Sequence, residues 1–137
     1  RAARARVHAR GGVLVINADA QLARSVEADG LHLPARQLMA ATTRPEFVWV
    51  GASCHTRAEL EQAAALGLDY ALLGPVCPTL SHPGQEGLGW ARFTELAAGL
   101  PMPVFALGGL LPEDMARACD AGAHGIAAIR GFWGAQR

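Results

Sequence analysis

Short apolar runs rich in branched side chains recur along the chain and alternate with longer stretches of helical periodicity. Six runs stand out, at residues 13–16, 31–33, 48–52, 70–73, 104–107 and 126–129. The segments between them are too long for hairpin turns, which most often have two to five residues. This alternation predicts successive βα units around a parallel sheet.

The segments between the runs carry helix signals. Thr56 begins a capping box with the glutamate three residues later, and Gly67 stands where that helix should end. Pro112 opens a second helix that Gly122 closes. Asp19 is placed to cap a shorter helix. A further helix is predicted from the apolar face formed by Trp90, Phe93, Leu96, Ala97 and Leu100.

A related phrase precedes three of the runs and forms a weak internal repeat. The three versions are Ala28-Asp29-Gly30, Gly67-Leu68-Asp69 and Gly122-Ala123-His124-Gly125. In each, a small or turn-forming residue ends a helix just before the next strand.

One segment, residues 74–89, has the composition of a long loop after a strand. It holds glycines, prolines and several polar side chains. Long loops in compact domains are usually functional or disordered, and parallel α/β folds bind ligands at the carboxyl ends of their strands. The sequence therefore places the first candidate site here.

Composition and charge exclude several classes of function. Apolar residues make up 51% of the 137, and 12 basic residues balance 12 acidic ones, so the formal net charge is zero. Nucleic acid is therefore not an expected partner, and no apolar run approaches the ~20 residues of a membrane span. All 12 basic residues are arginine, which excludes lysine chemistry such as a Schiff base. The three cysteines form no C-x-x-C pair, which favours reduced thiols and a cytoplasmic protein.

Six phrases, taken in order, resemble the thiamine phosphate synthase family with its thiazole tautomerase branch. They are Ile16-Asn17, Ala28-Asp29-Gly30-Leu31-His32-Leu33, Ala52-Ser53-Cys54-His55-Thr56, Gly74-Pro75-Val76-Cys77-Pro78-Thr79, Ala106-Leu107-Gly108-Gly109-Leu110 and Gly125-Ile126-Ala127-Ala128-Ile129. The segments Ser53-Cys54-His55 and Arg36-Gln37-Leu38-Met39 are most similar to the synthase-like domain that follows a Nudix hydrolase domain in some bacterial fusion proteins.

The resemblance implies a (β/α)8 TIM barrel, a fold that normally needs about 200 residues or more. Residues 1–137 would then form a single synthase-like domain truncated to about six βα units, strands 3–8 of the family, with the first two units missing. A doubly wound open sheet of five or six strands is the alternative that fits this length without missing parts. A truncated barrel would expose two sheet edges, so we expect the chain to associate into a homo-oligomer.

The resemblance also implies substrate contacts. Gly108 and Gly109 match the family's phosphate site, as does the segment Ile129, Arg130 and Gly131, although two glycines can simply form a turn and an arginine can form a surface ion pair. The segment that contacts the thiazole substrate corresponds to Thr79, Leu80 and Ser81, with a solvated loop as the alternative. The positions that contact the pyrimidine substrate correspond to Asn17 and Ser53, which could equally be bonded only to neighbouring strands.

Departures from the family pattern fall on its diphosphate side. The family's Mg²⁺ carboxylates correspond to Ala18 and Gln37, and its diphosphate-binding lysine corresponds to His82. A histidine of the tautomerase branch corresponds to Pro75. We therefore expect Mg²⁺ only through a substrate diphosphate, no organic cofactor, and weak or absent synthase activity.

The expected function is binding of a small phosphorylated thiazole or thiamine-type ligand, with no assigned catalytic residue and no metal ligand. The alternative is a non-catalytic sensing or scaffold module attached to a Nudix hydrolase domain. A zinc or thiol site at Cys54, His55, Cys77 and His82 is disfavoured, because adjacent strand residues project to opposite faces.

Overall fold

Six parallel strands form one sheet whose spatial order follows the chain. The computed structural model describes residues 2–79, 84 and 86–132. The strands are β1 Val15–Asn17, β2 Gly30–Leu33, β3 Trp49–Cys54, β4 Tyr70–Leu73, β5 Val104–Leu107 and β6 Gly125–Ala127, paired in sequence from β1 to β6. All six predicted runs overlap a strand, but β6 ends at Ala127, two residues before the predicted limit.

The sequential strand order decides between the two predicted architectures. A doubly wound sheet reverses direction at a switch point, whereas a TIM barrel adds each new strand beside the preceding one. The six-strand order therefore confirms the truncated barrel and excludes the doubly wound sheet. Within the described residues, β1 pairs with β2 alone and β6 with β5 alone, so the sheet has two edges.

Short helices cover one face of this sheet. They are α1 Ala2–His8, α2 Ala20–Ser25, α3 Ala35–Ala40, α4 Arg57–Ala65, α5 Gly89–Ala97 and α6 Met115–Asp120, the last preceded by a 3₁₀ turn at Pro112–Asp114. The first and third of these were not predicted. The core lies between strands and helices, where Val50, Ala52 and Cys54 of β3 are buried together with Leu60 and Phe93 of the helices. No helix in the described ranges combines the length and the apolar character needed to cross a bilayer.

The predicted helix ends are confirmed by their hydrogen bonds. The Thr56 hydroxyl accepts from the Glu59 amide at 3.2 Å and completes a capping box. Asp19 Oδ1 accepts from the Leu22 amide at 2.8 Å. Gly67 adopts the positive φ of 68° expected of a residue that ends a helix.

The weak internal repeat has a structural cause. The residue before each following strand donates its amide to the start of the strand beside it, in the pairs Asp29 to Leu14 at 2.9 Å, Asp69 to Val50 at 2.8 Å and His124 to Val104 at 2.8 Å. Each hydrogen bond fixes the point at which the chain, after a helix, enters the next strand. The repeat therefore marks three helix-to-strand junctions that share this hydrogen bond.

Candidate functional site

Three segments that follow strands meet at the carboxyl end of the sheet. They follow β4, β5 and β6, and the first of them is the long loop predicted from the sequence. The Val76 amide donates to the Leu107 carbonyl at 2.9 Å, and the Cys77 amide donates to the Gly108 carbonyl at 3.1 Å. The loop after β4 is therefore held directly against the end of β5.

The predicted glycine pair makes this contact sterically feasible. Gly108 and Gly109 have φ values of 106° and 64°, in the region that glycine alone adopts at little cost. A Cβ atom at Gly108 would lie 2.6 Å from Pro75 Cα, and one at Gly109 would lie 2.8 Å from the Pro78 carbonyl oxygen. The pair therefore lets the backbone after β5 lie close to residues 75–78, which lead to Thr79.

The Thr79 hydroxyl is a polar group in this region that lacks a hydrogen-bond partner among the described residues. Its Oγ1 atom is buried and has no hydrogen-bond partner in the described part of the chain. A buried hydroxyl without a partner costs about 1–3 kcal/mol, so such groups are normally satisfied by water or by a ligand. Leu80, Ser81 and His82, the other predicted residues of this segment, lie outside the described residues.

The segment after β6 joins the same region. A Cβ atom on Gly131 would lie 2.7 Å from the Leu110 carbonyl oxygen, so this glycine also permits a close backbone approach. Ile129 is 74% exposed, and Arg130 is also exposed. The structure thus brings the predicted phosphate residues to one end of the sheet, with the Arg130 side chain at the surface.

A second cluster lies on the inner face, which we define as the sheet face opposite the helices. Asn17 and His32 are register partners, so both belong to this face, as does Ser53. His32 Nε2 lies 2.7 Å from Ser53 Oγ, and His32 Nδ1 lies 3.0 Å from the Tyr70 hydroxyl oxygen. Ser53 therefore has a side-chain partner, while Asn17 lies at the exposed carboxyl end of β1.

Sequence reasoning missed His32 and Tyr70 as site residues. His32 is half-buried and bonded to two side chains. Burial lowers the pKa of His32, and burial followed by the nearby Asp69 carboxylate raises the pKa of Tyr70. Both groups are therefore neutral near pH 7. Strand alternation across β2 and β4 was the available signal, because it places both residues on the face of Ser53.

The two positions that correspond to the family's Mg²⁺ carboxylates are neighbours in space. Gln37 Nε2 donates to the Ala18 carbonyl at 3.1 Å. The nearby Asp19 carboxylate caps α2, as predicted, and so is already engaged. One carbonyl and one carboxamide bonded to each other do not provide the carboxylate ligands that Mg²⁺ prefers. At these two positions, the residues present therefore do not fit a protein-held Mg²⁺ ion.

The disfavoured zinc or thiol site gains no support. Cys54 is buried on the helix side, and burial, with the nearby Glu59, raises its pKa to about 12. His55 is exposed and lies 3.3 Å from Glu59 through Nδ1. Among the residues the structure describes, no group of three or more candidate ligands could hold a metal ion.

Comparisons with known proteins agree with this architecture. A family model described as thiamine monophosphate synthase matches residues 1–132. The thiamine-phosphate synthase of Thioalkalivibrio sulfidiphilus is 34% identical over 137 residues, covering 97% of this chain and 65% of the relative. That of Methylobacillus flagellatus is 36% identical over 125 residues, covering 88% and 59%.

A solved structure shows the same fold at greater length. The thiamine phosphate pyrophosphorylase from Pyrococcus furiosus superposes with a TM-score of 0.72 at 23% identity, covering 92% of this chain and 61% of that one. The chain thus spans about three fifths to two thirds of the relatives it matches. The family match over residues 1–132 and the six-strand barrel arrangement show that this chain belongs to the thiamine monophosphate synthase family.

Proposed function

We propose that this chain binds a phosphorylated thiazole or thiamine-type ligand at the carboxyl end of β4–β6, and that its synthase activity is weak or absent. The observation that carries the binding proposal is the unpartnered Thr79 hydroxyl, whose preceding residue Pro78 lies close to Gly109. A phosphate oxygen would satisfy that hydroxyl, and the glycines let an anion approach the backbone closely. Arg130, exposed after β6, supplies a positive charge on the same side.

The proposal of weak synthase activity rests on Ala18 and Gln37, which stand where the family pattern has Mg²⁺ carboxylates. The family reaction joins a pyrimidine methyl diphosphate to a thiazole phosphate as the diphosphate leaves. That departure needs positive charge, and the Ala18–Gln37 contact supplies none. Any Mg²⁺ would have to be held by the ligand's own diphosphate. What remains for this chain is to bind and orient a phosphorylated ring.

Calorimetric titration of the chain with thiazole phosphate and with thiamine phosphate tests the binding proposal. We expect micromolar dissociation constants, about −8 kcal/mol of binding free energy. Thr79→Val removes the hydroxyl at nearly constant volume and should weaken both affinities about tenfold, roughly 1.4 kcal/mol. Thr43→Val, at an exposed position in the loop before β3, is the matched control and should change neither. A folded chain that binds neither ligand would contradict the proposal.

A product assay with both substrates and Mg²⁺ tests the activity. The double variant Ala18→Asp, Gln37→Asp places two carboxylates where the structure shows a carbonyl and a carboxamide in contact. We expect Mg²⁺-dependent formation of thiamine phosphate to rise above the wild-type level. The double variant Ala18→Asn, Gln37→Asn is similar in size but neutral and should give no rise. A wild-type rate that already equals that of the acidic variant would contradict the proposal.

A second candidate function is that of a non-catalytic sensing or scaffold module in the cytoplasm, attached to a Nudix hydrolase domain. The Ala18–Gln37 hydrogen bond favours it, because neutral groups stand where catalysis needs charge. The attachment itself rests on the resemblance of residues 36–39 and 53–55. Ligand binding without turnover, even in the acidic double variant, would favour this function over the first.

A further inference from the structure

A cavity of about 320 Å³ lies at the amino end of the sheet, between the segments that lead into β5 and β6. Its lining includes Met102 and Val104 on the β5 side, and Gly122 and His124 on the β6 side. The proposed ligand site lies at the opposite end, where the strands have their carboxyl ends. The cavity is therefore separate from that site.

The junction before β6 repeats the backbone arrangement of the junction before β4. A glycine with positive φ follows the helix in each, at 68° in Gly67 and 93° in Gly122. The residue just before each strand donates its amide at 2.8 Å to the neighbouring strand, in the pairs Asp69 to Val50 and His124 to Val104. His124 is therefore the structural equivalent of Asp69.

The junction before β4 holds a guanidinium group of the chain itself. Arg44 Nη1 donates to the Gly67 carbonyl at 3.0 Å. Its Nη2 donates to the Phe47 and Val48 carbonyls, each at 3.3 Å, and to Asp69 Oδ2 at 2.8 Å. One planar cation therefore joins the segment after α4, the segment before β3 and the residue before β4.

The cavity lies at the equivalent place in the junction before β6. The carbonyls that correspond to those of Gly67 and Val48 belong to Gly122 and Met102, and both of these residues line the cavity. Neither of the two carbonyls accepts a hydrogen bond from another described residue. This junction therefore keeps the backbone acceptors of the first one.

Ala98 explains why these acceptors have no guanidinium group. It is the sixth residue before Val104, as Arg44 is the sixth residue before Val50, so its methyl group stands where the arginine side chain begins. Ala98 is exposed, and the residues on either side of it line the cavity. The chain itself thus leaves this position to solvent or to a ligand.

The charge around the cavity favours a cation. Ala97 ends α5 and Cys119 lies in the last turn of α6, and both line the cavity. The C-terminal end of a helix carries a partial negative charge. The end of α5 already binds one guanidinium group, because Arg57 Nη1 donates to the Leu96 and Ala98 carbonyls at 3.0 and 2.6 Å. The Arg57 charge is itself paired with a carboxylate of α4 at 2.9 Å.

We propose that this cavity binds a guanidinium group from outside the chain, carried either by a small guanidine compound or by an arginine of a partner protein. A guanidinium group presents five N–H donors in a fixed plane and can bond carbonyls on two segments, whereas an ammonium group is a compact point charge. Neutral His124 offers one acceptor nitrogen where Asp69 offers a carboxylate. We therefore expect a dissociation constant on the order of 1 mM.

Titration followed by ¹H–¹⁵N NMR tests the site. Methylguanidinium should shift the amide signals of Gly122, Ala123 and His124 in a saturable way, and methylammonium should not. A blocked glycine–arginine–glycine peptide is the second guanidinium probe. Tighter binding of the peptide than of methylguanidinium would assign the site to the arginine of a partner protein, and the reverse order would assign it to a small guanidine compound.

Two substitutions should change the site in opposite directions. Ala98→Arg supplies a guanidinium group from within the chain and should abolish the response to methylguanidinium. Ala91→Arg, at an exposed position inside α5, adds the same side chain elsewhere and should leave the response unchanged. His124→Asp restores the carboxylate found at Asp69 and should tighten binding roughly tenfold, whereas the neutral His124→Asn should not.

Three results would overturn the proposal. They are the absence of a saturable response in the folded wild type, an equal response to methylammonium, and a response to methylguanidinium that persists in Ala98→Arg. Circular dichroism would verify that each variant is folded. Because His124→Asp strengthens binding, its result does not depend on a loss that misfolding could also cause.

Discussion

Ala18 stands where the family pattern has a Mg²⁺ carboxylate, and its backbone has an unusual conformation. Its φ is 65°, and the Asp19 amide donates to the Asn17 carbonyl at 2.8 Å, which closes a three-residue turn around it. An L-residue with a side chain is strained in such a turn. Ala18 therefore lies in a strained turn, and its methyl group, unlike a carboxylate, cannot bind a metal ion.

Replacing Ala18 with glycine should relieve this strain. We expect Ala18→Gly to raise the free energy of unfolding by up to about 1 kcal/mol, the net of strain relief over the added entropy of the unfolded chain. Ala91→Gly, at an exposed position inside α5, is the matched control and should lower it by about 0.5–1 kcal/mol. Urea denaturation of both variants measures the difference. Equal destabilisation by both substitutions would contradict the strain at Ala18.

At the scale of elements, half-buried carboxylates stabilise two of the helix-to-strand junctions. Asp69 Oδ2 accepts from the Val50 amide at 2.7 Å and from Arg44 Nη2 at 2.8 Å. Burial alone would raise the pKa of Asp69, but these two hydrogen bonds outweigh it and the pKa is lowered. Asp29 makes the equivalent bonds with the Leu14 amide and His8, so the same arrangement of hydrogen bonds occurs at both junctions.

Neutralising Asp69 should therefore destabilise the chain in a pH-dependent way. Asp69→Asn should lower the free energy of unfolding by about 1–2 kcal/mol at pH 7, because a charge-assisted contact is lost at a partly exposed site. A carboxyl whose pKa is lowered by folding stabilises the chain above its unfolded pKa of about 3.9 and loses that effect as pH falls through the folded value. The difference from wild type should shrink below about pH 4.

Thermal unfolding between pH 3 and pH 7 checks this dependence. Glu46→Gln, which removes a carboxylate from an exposed position, is the control and should leave the profile unchanged. A difference between Asp69→Asn and wild type that stays constant across this range would show that the Asp69 charge does not stabilise the junction.

At the scale of the whole molecule, local signals and long-range contacts differ in how far sequence could predict them. The Thr56 cap and the strand at 70–73 depend on adjacent residues, so pattern alone located them. The His32–Tyr70 contact depends on the register of three strands and on the missing side chain of Gly51, which no local pattern reveals.

The candidate site shows the same division. Gly108 and Gly109 were recognised because the turn chemistry and the resemblance coincide at those positions. The proximity of Ala18 and Gln37 followed from the resemblance alone, because the two residues lie on different βα units. The unpartnered state of Thr79 Oγ1 depends on how the loop after β4 packs, which sequence does not specify.

The open sheet leads to the last prediction, which concerns self-association. In the described part of the chain, β1 and β6 each have a neighbour on one side only, and an unpaired strand edge presents backbone donors and acceptors to another molecule. We expect sedimentation velocity to show species larger than the 14.3 kDa monomer, growing with concentration. Val15→Lys places a charge on β1 and should weaken the association about tenfold, roughly 1.4 kcal/mol. Val13→Lys adds the same charge before the strand begins and should have little effect. Circular dichroism would verify that both variants remain folded, and a monomer at every concentration would contradict the prediction.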